Sequence, residues 1–196
     1  MSKLCPLAIC LAASTLVGSL VNAQAVISID PTTQTASTGS VVTVDVAISN
    51  VSDLYAYQFD LGFNPSVLQA VSSSEGPFLA GGGSTFFIPG TSDNLAGTVL
   101  ATADTLLSAT NGVNGSGELA VFTFDAVGAG ISTLSIQNET LLNSSLDVIS
   151  DLTKTGAVTV KTSTVAAPEI DPASTMAALT LLFGGLAVTR GFRKAA

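Results

Sequence analysis

The sequence predicts an all-β domain, an antiparallel sandwich of about nine short strands, carried between an export signal and a C-terminal apolar segment of transmembrane type. Three observations predict it. Apolar and polar residues alternate with a period of two through the middle of the chain, clusters of Gly, Asn and Pro recur between the alternating runs, and no long amphipathic helical stretch interrupts them. The 196 residues suffice for one domain of ordinary size plus its two ends.

The first element is residues 1–23. Lys3 precedes "LCPLAICLAASTLVGSLV", apolar as far as Val21, and the small-residue close "VNA" places signal-peptide cleavage after Ala23. Both cysteines, Cys5 and Cys10, fall inside this segment, so the mature chain carries no thiol. The bulky Ile9 and the long apolar run after Cys10 speak against a lipid-modified cysteine and for an ordinary apolar signal residue.

The domain then spans 24–162. "AVISID" (Ala25 to Asp30) leads. Val42, Val44, Val46 and Ile48 alternate with Thr43, Asp45, Ala47 and Ser49. Tyr55, Tyr57, Phe59, Leu61 and Phe63 alternate with Ala56, Gln58, Asp60 and Gly62. Further strands are expected at Thr85 to Ile88, Gly97 to Thr105, Glu118 to Val127, Ile131 to Gln137 and Gly156 to Lys161. Turn chemistry separates them: "STGS", "FNPS", "AGGGS", "NGVNGSG" and "GAG". Two such sheets bury their alternating apolar residues face to face. Each buried Val, Leu or Phe contributes about 1.5–3 kcal/mol, so no disulfide or metal is needed for folding.

Residues 163–175 lose the alternation and gain Pro, Ser and Thr, which reads as an extended tether. Pro172 to Thr189 then runs eighteen residues without a charge, about 27 Å as a helix at ~1.5 Å per residue. An apolar helix is placed at 176–189. The basic tail 190–196, with Arg190, Arg193 and Lys194, acts as a stop that stays cytoplasmic while the acidic domain lies outside.

Charge and composition exclude several function classes. Between the two ends only Lys154 and Lys161 face all fourteen acids, a net of −12, which phosphate backbones would repel, so no nucleic-acid partner is expected. There is no His and no Trp. Ser-His and Cys-His nucleophiles are therefore excluded, as is a zinc site of the usual ligands. A paired-carboxylate glycosidase survives on residue types alone, but Asp45, Asp60 and Asp125 read as solvated strand faces. Asn143, Asp147 and Asp151 in "NSSLDVISD" offer oxygens of the kind calcium takes. Their spacing matches no EF-hand, so the stretch reads as a polar turn and no cofactor is expected. The glycines of "LAGGGSTFFIPG" lead into a strand, not the helix a phosphate cradle needs. Within that stretch Phe86, Phe87 and Ile88 must place apolar groups on both faces of a sheet, which makes them the candidate binding surface; one edge of the core is the simpler reading.

Two resemblances follow from the residues. "GSVVTVDVAISNVSDLYAYQFDLGFNPSVLQAVSSSEGPFL" from Gly39, "GTVLATAD" from Gly97, "GVNGSGELAVFTFDA" from Gly112 and "GISTLSI" from Gly130 together resemble a cohesin domain over nearly all of the mature domain. The aromatic strand entering "FNPSVL" and the "GSGELAVFTF" run carry most of it, with Asn64 where Asp is more usual. The resemblance implies a jelly-roll sandwich of about nine strands, and a noncatalytic module that docks a dockerin-bearing partner in polysaccharide-degrading assemblies. "APEIDPAS" before the apolar helix and basic tail resembles a PEP-CTERM sorting signal, with Pro168 and Glu169 matching its first two positions and Ile170 departing at the third. That implies processing by an exosortase. It also implies a Gram-negative bacterium, transient anchoring in the inner membrane through the helix, and delivery to the outer surface or extracellular matrix. The expected function is a noncatalytic extracellular binding or scaffolding module. Direct polysaccharide binding or biofilm adhesion is the alternative, disfavoured because without Trp only Tyr55, Tyr57 and Phe can form a sugar-stacking platform.

Overall fold

In the computed structural model the described residues are 24–163. The segment expected as a signal peptide, with Ala23, lies outside them, as do Pro168 and Glu169 of the expected sorting motif, the stretch 176–189 expected as an apolar helix, and Arg190, Arg193 and Lys194. Among the described residues no helix is long and apolar enough to cross a membrane.

Eleven strands and one helical turn follow in order: β1 Ala25–Asp30, β2 Thr33–Ser37, β3 Val41–Leu54, β4 Ala56–Gly62, β5 Leu68–Glu75, α1 Pro77–Ala80, β6 Thr91–Asp93, β7 Thr98–Thr105, β8 Val113–Ala126, β9 Gly130–Leu142, β10 Asp151–Lys154 and β11 Gly156–Lys161. They form two sheets, ordered β10-β1-β3-β8-β5 and β2-β11-β9-β4-β7-β6. The all-β sandwich expected from the alternation is the observed architecture. About nine strands are expected and eleven are found: β2, β5, β6 and β10 are not among those named from the sequence, and β6 and β10 are edge strands of three and four residues, too short to show a period. β2, "TQTAS", has no buried side chain to mark it.

The sandwich is not wholly antiparallel. β1 pairs β10 in parallel, and β2 pairs β11 in parallel. The first two strands split between the sheets and the last two do the same, so strands from opposite ends of the chain lie side by side without needing a crossover helix. The segment Thr85 to Ile88, expected as a strand, makes only isolated bridges at Thr85 and Ile88.

The core lies between the sheets. Val42, Val44, Val46 and Ile48 of β3 point inward with Phe122 and Phe124 of β8, facing Tyr57, Phe59 and Leu61 of β4. Aromatic pairs bridge the two layers: Phe59 to Phe122 at 6.1 Å and Phe63 to Phe124 at 5.2 Å between ring centroids. Each such pair adds about 0.5–1.5 kcal/mol beyond the area it buries. The "FNPS" corner is a turn closed by its own asparagine, whose Oδ1 accepts the Ser66 N–H at 3.1 Å while its backbone oxygen accepts from Val67 and Leu68. Asn64 Nδ2 also reaches the Ile131 oxygen at 3.4 Å, a contact an aspartate could not donate.

Candidate functional site

The three candidate residues lie on a strap, Ser84 to Gly90, laid along the edge of β7. Phe86 N–H donates to the Thr105 oxygen at 2.9 Å and Ile88 N–H to the Ala103 oxygen at 2.7 Å. Leu107 N–H closes the upper end on the Ser84 oxygen at 2.7 Å. Alternation then sorts the side chains: Phe86 and Ile88 turn outward, 59% and 44% exposed, while Phe87 packs against the core. The stretch thus supplies one edge of the core, through Phe87, and one apolar pair outside it. The strap is also tied to the opposite sheet, where Ser73 Oγ of β5 donates to the Pro89 oxygen and Thr85 Oγ1 donates to Glu75 Oε1 at 2.5 Å.

Phe86 and Ile88 wall a hollow of about 270 Å³ on the outer face of the six-stranded sheet, whose floor includes Ala56, Ala103, Thr140 and Leu142. Farther along the same three strands lies a second hollow of about 390 Å³ with a polar lining that includes Thr98, Thr133, Ser135 and Gln137. Asp60 stands between them on β4. Its Oδ1 accepts the Ala101 N–H and its Oδ2 the Asn138 amide, each at 2.7 Å. Both partners sit at positive φ, 56° and 50°, and the ladders of β4 with β7 and with β9 shift register beside them. Paired bulges on both neighbours are thus pinned by one carboxylate.

The remaining acids are spread apart. Asp45 and Asp125 lie on the five-stranded sheet and Asp60 on the six-stranded one, so the carboxylates named from the sequence form no common pair. Burial, then Glu118 and Asp30, hold the Asp45 carboxyl above the usual carboxylate range. Asp53 is held below it by the Ser144 hydroxyl and the Gly112 N–H, with which it ties the β3–β4 corner to two loops. Asn143 spends its Oδ1 on the N–H groups of Ser145 and Asp147, Asp147 is exposed, and Asp151 opens β10. These three do not converge on one point, and the described residues hold no group of three or more Asp, Glu, His or Cys able to hold a metal. Tyr57, counted from the sequence as an aromatic for sugar stacking, is buried, with its hydroxyl donating to the Leu119 oxygen at 2.5 Å, and Tyr55 packs against the core.

Two carboxylates that sequence reasoning did not single out do meet. Asp104 of β7 is 2% exposed and its Oδ2 has no hydrogen-bond donor, while its Oδ1 accepts the Thr105 N–H at 2.8 Å. Its side chain reaches Glu75 at the end of β5, across the gap between the sheets. Burial first, and the Glu75 charge second, raise the Asp104 carboxyl to about 7.

These features define a two-sheet β-sandwich module with one sheet carrying a divided, partly apolar outer face. The chain belongs to the cohesin domain family, whose model matches residues 26–165. None of the curated proteins matches it. Several solved structures share the fold at low identity. The sixth cohesin of scaffoldin B from Acetivibrio cellulolyticus, in complex with a mutant Cel5 dockerin, has a TM-score of 0.57 at 20% identity, over 71% of this chain and 100% of that one. A non-cellulosomal cohesin from the hyperthermophilic archaeon Archaeoglobus fulgidus gives 0.56 at 17%, over 71% and 92%. A chain of a type I cohesin–dockerin complex from Clostridium thermocellum gives 0.58 at 13%, over 71% and 100%.

Proposed function

We propose that this chain is a noncatalytic docking module that receives a dockerin-bearing protein on the outer face of β9, β4 and β7, with Phe86 and Ile88 as its apolar anchors. The observation that carries the reading is the pairing of cohesin membership with an exposed Phe and Ile walling a hollow on a sheet face. Hot spots of protein interfaces are apolar or aromatic groups seated beside such pockets, each contributing about 2 kcal/mol or more. Dockerins accompany two of the structures of like fold, and the archaeal one is described as non-cellulosomal, so the partner need not belong to a cellulosome. Tyr57 is buried and Tyr55 is half-buried against the core, which weighs against a sugar-stacking platform and direct polysaccharide binding.

Export and sorting complete the proposal. The segment 1–23 directs secretion, and Pro168 with Glu169, the apolar 176–189 and the basic tail direct an exosortase to cut the chain and release it to the outer surface or matrix of a Gram-negative cell, where it serves an exopolysaccharide-associated or biofilm assembly. Intact-mass measurement of protein recovered from its native surface reads both processing events.

Docking is tested by capture from the native secretome on immobilised wild-type chain and on the Phe86→Ser/Ile88→Ser variant. A dockerin-bearing protein should be retained by the wild type and bound at least roughly 30-fold more weakly by the variant. Retention of polysaccharide without protein, or equal retention by both chains, would refute the reading.

A further inference from the structure

The strap that carries Phe86 and Ile88 is fastened beneath by a pair of acids with no counter-ion among the described residues. Glu75 Oε1 accepts the Thr85 hydroxyl at the strap's start, and the Asp104 side chain, buried from solvent with Oδ2 lacking any donor, meets Glu75 from the other sheet. Among the described residues, no element around the pair supplies a compensating cation. β4 offers Tyr57, a phenol that burial, then Asp104 and Glu75, keep protonated, and its hydroxyl is turned to the Leu119 oxygen. The strap "STFFIPG" and α1 "PFLA" carry no charge, and β8 contributes only the exposed Glu118 in this region. The cations among the described residues, Lys154 and Lys161, stand on β10 and β11, and neither strand adjoins β5 or β7 in a sheet. Two carboxylates in contact, with Asp104 buried from solvent, repel each other strongly when both are ionised without a cation, and sharing one proton resolves the conflict. With no third ligand of the usual kind nearby, a proton fits this gap better than a metal does.

We propose that Glu75 and Asp104 hold a single proton between them, forming an acid latch that clamps the strap and β7 to β5 and lets the strap loosen when that proton is lost. The hydrogen bond runs from the protonated carboxyl of one residue to the carboxylate of the other, and its loss releases one proton to solvent through the partly exposed Glu75. The two like charges left behind push β5 from β7, and Glu75 swings away from the Thr85 hydroxyl. Phe86 and Ile88 then lose their fixed positions over the apolar hollow. The effect on partner binding rests on the docking reading given above, whereas the latch itself does not.

The test is made on the full chain without any partner. Carbon-13 NMR follows the side-chain carboxyl carbons through a pH titration, and hydrogen exchange follows the Phe86 and Ile88 amides, corrected for base catalysis. Asp104 should titrate with a midpoint at about 7, and strap exchange should rise roughly tenfold or more across it. In Glu75→Gln the amide donates to the Asp104 carboxylate and the like charge is gone, so Asp104 should titrate at least about one unit lower and the exchange step should vanish. Asp104→Asn should abolish the step as well. A wild-type Asp104 titrating near the ordinary 3.8 would overturn the latch. So would a midpoint that moves between calcium and chelator, which would make the occupant a cation, or an exchange step that persists in the variants. The wild-type titration stands even if a variant fails to fold.

Discussion

Asp60 gives the sharpest test of how the outer face is built. Removing its carboxylate in Asp60→Ala deletes two hydrogen bonds of 2.7 Å, one from the Ala101 N–H and one from the Asn138 side chain. Bonds to a charged acceptor contribute about 1.5–3 kcal/mol, and partial exposure brings these to about 1 each, so the loss is on the order of 2 kcal/mol. For a domain of this size that lowers Tm by roughly 5–10 °C. A second term separates bulge-pinning from simple contact loss. Ala101 sits at φ 56°, a left-handed conformation disfavoured by about 1–2 kcal/mol for a residue with a Cβ. Ala101→Gly removes that strain at an entropic cost of about 0.5–1 kcal/mol, leaving the single variant near neutral. If Asp60 holds Ala101 in this conformation, its removal lets Ala101 relax and recover part of that strain, so Asp60→Ala should cost about 1 kcal/mol more in the Ala101→Gly background than alone. Urea unfolding followed by far-ultraviolet circular dichroism, run as a double-mutant cycle, measures both quantities. A loss under about 0.5 kcal/mol for Asp60→Ala, or additivity within ~0.5 kcal/mol, would refute the assignment.

Three further outcomes are expected. Folded Asp104 holds its proton up to about 7 against 3.8 when unfolded. Its contribution is therefore complete below pH 3.8 and is lost as pH rises toward 7; urea midpoints should fall across that window by the equivalent of about 2–4 kcal/mol, and Asp104→Asn should flatten the curve. A wild-type curve rising through the same window would contradict this. Phe59→Ala opens a cavity between the sheets beside Tyr57 and Phe122 and should cost about 3–5 kcal/mol in chemical unfolding; a loss below ~1.5 kcal/mol would mean the inter-sheet packing is misassigned. Asn64→Asp keeps the oxygen that caps Ser66 and surrenders only the 3.4 Å contact to Ile131, so stability should stay within about 0.5 kcal/mol, with a larger change in thermal melting counting against the turn as described.

Period-two alternation made the inner layers readable. Val42 to Ile48 and Tyr57 to Leu61 point where their phase puts them, and "GAVTVK" from Gly156 lands in β11. The strands that escaped notice bury little: β2 and β6 have no buried residue, and β5 turns from "LQAV" into "SSSE" midway, where serines look like a loop. The ends of β3 were also cut short. After Ile48 the chain continues as strand through Asn50 and Asp53, both at positive φ, with register shifts that break the period without ending the pairing with β8. The division of Phe86, Phe87 and Ile88 between the core and the outside was legible because three adjacent apolar groups cannot share one face. Asp104 was not legible, because counting outward and inward from Val99 places it outside.

That miscount and the division of the outer face have the same cause. Along β7, Val99 is buried; simple alternation would bury Ala101 and Ala103 next and expose Asp104. The bulge at Ala101 inserts one residue, so Thr102, Asp104 and Leu106 turn inward instead and Ala103 comes to floor the apolar hollow. The facing bulge at Asn138 does the same to β9, sending Leu141 inward after Ile136 and leaving Thr140 and Leu142 to the outside. One carboxylate, Asp60, holds both bulges from the strand between them. The apolar hollow, its polar neighbour and the buried acid beneath the strap are therefore consequences of a single phase reset across three strands, and a change that erased the bulges would be felt at all three places at once.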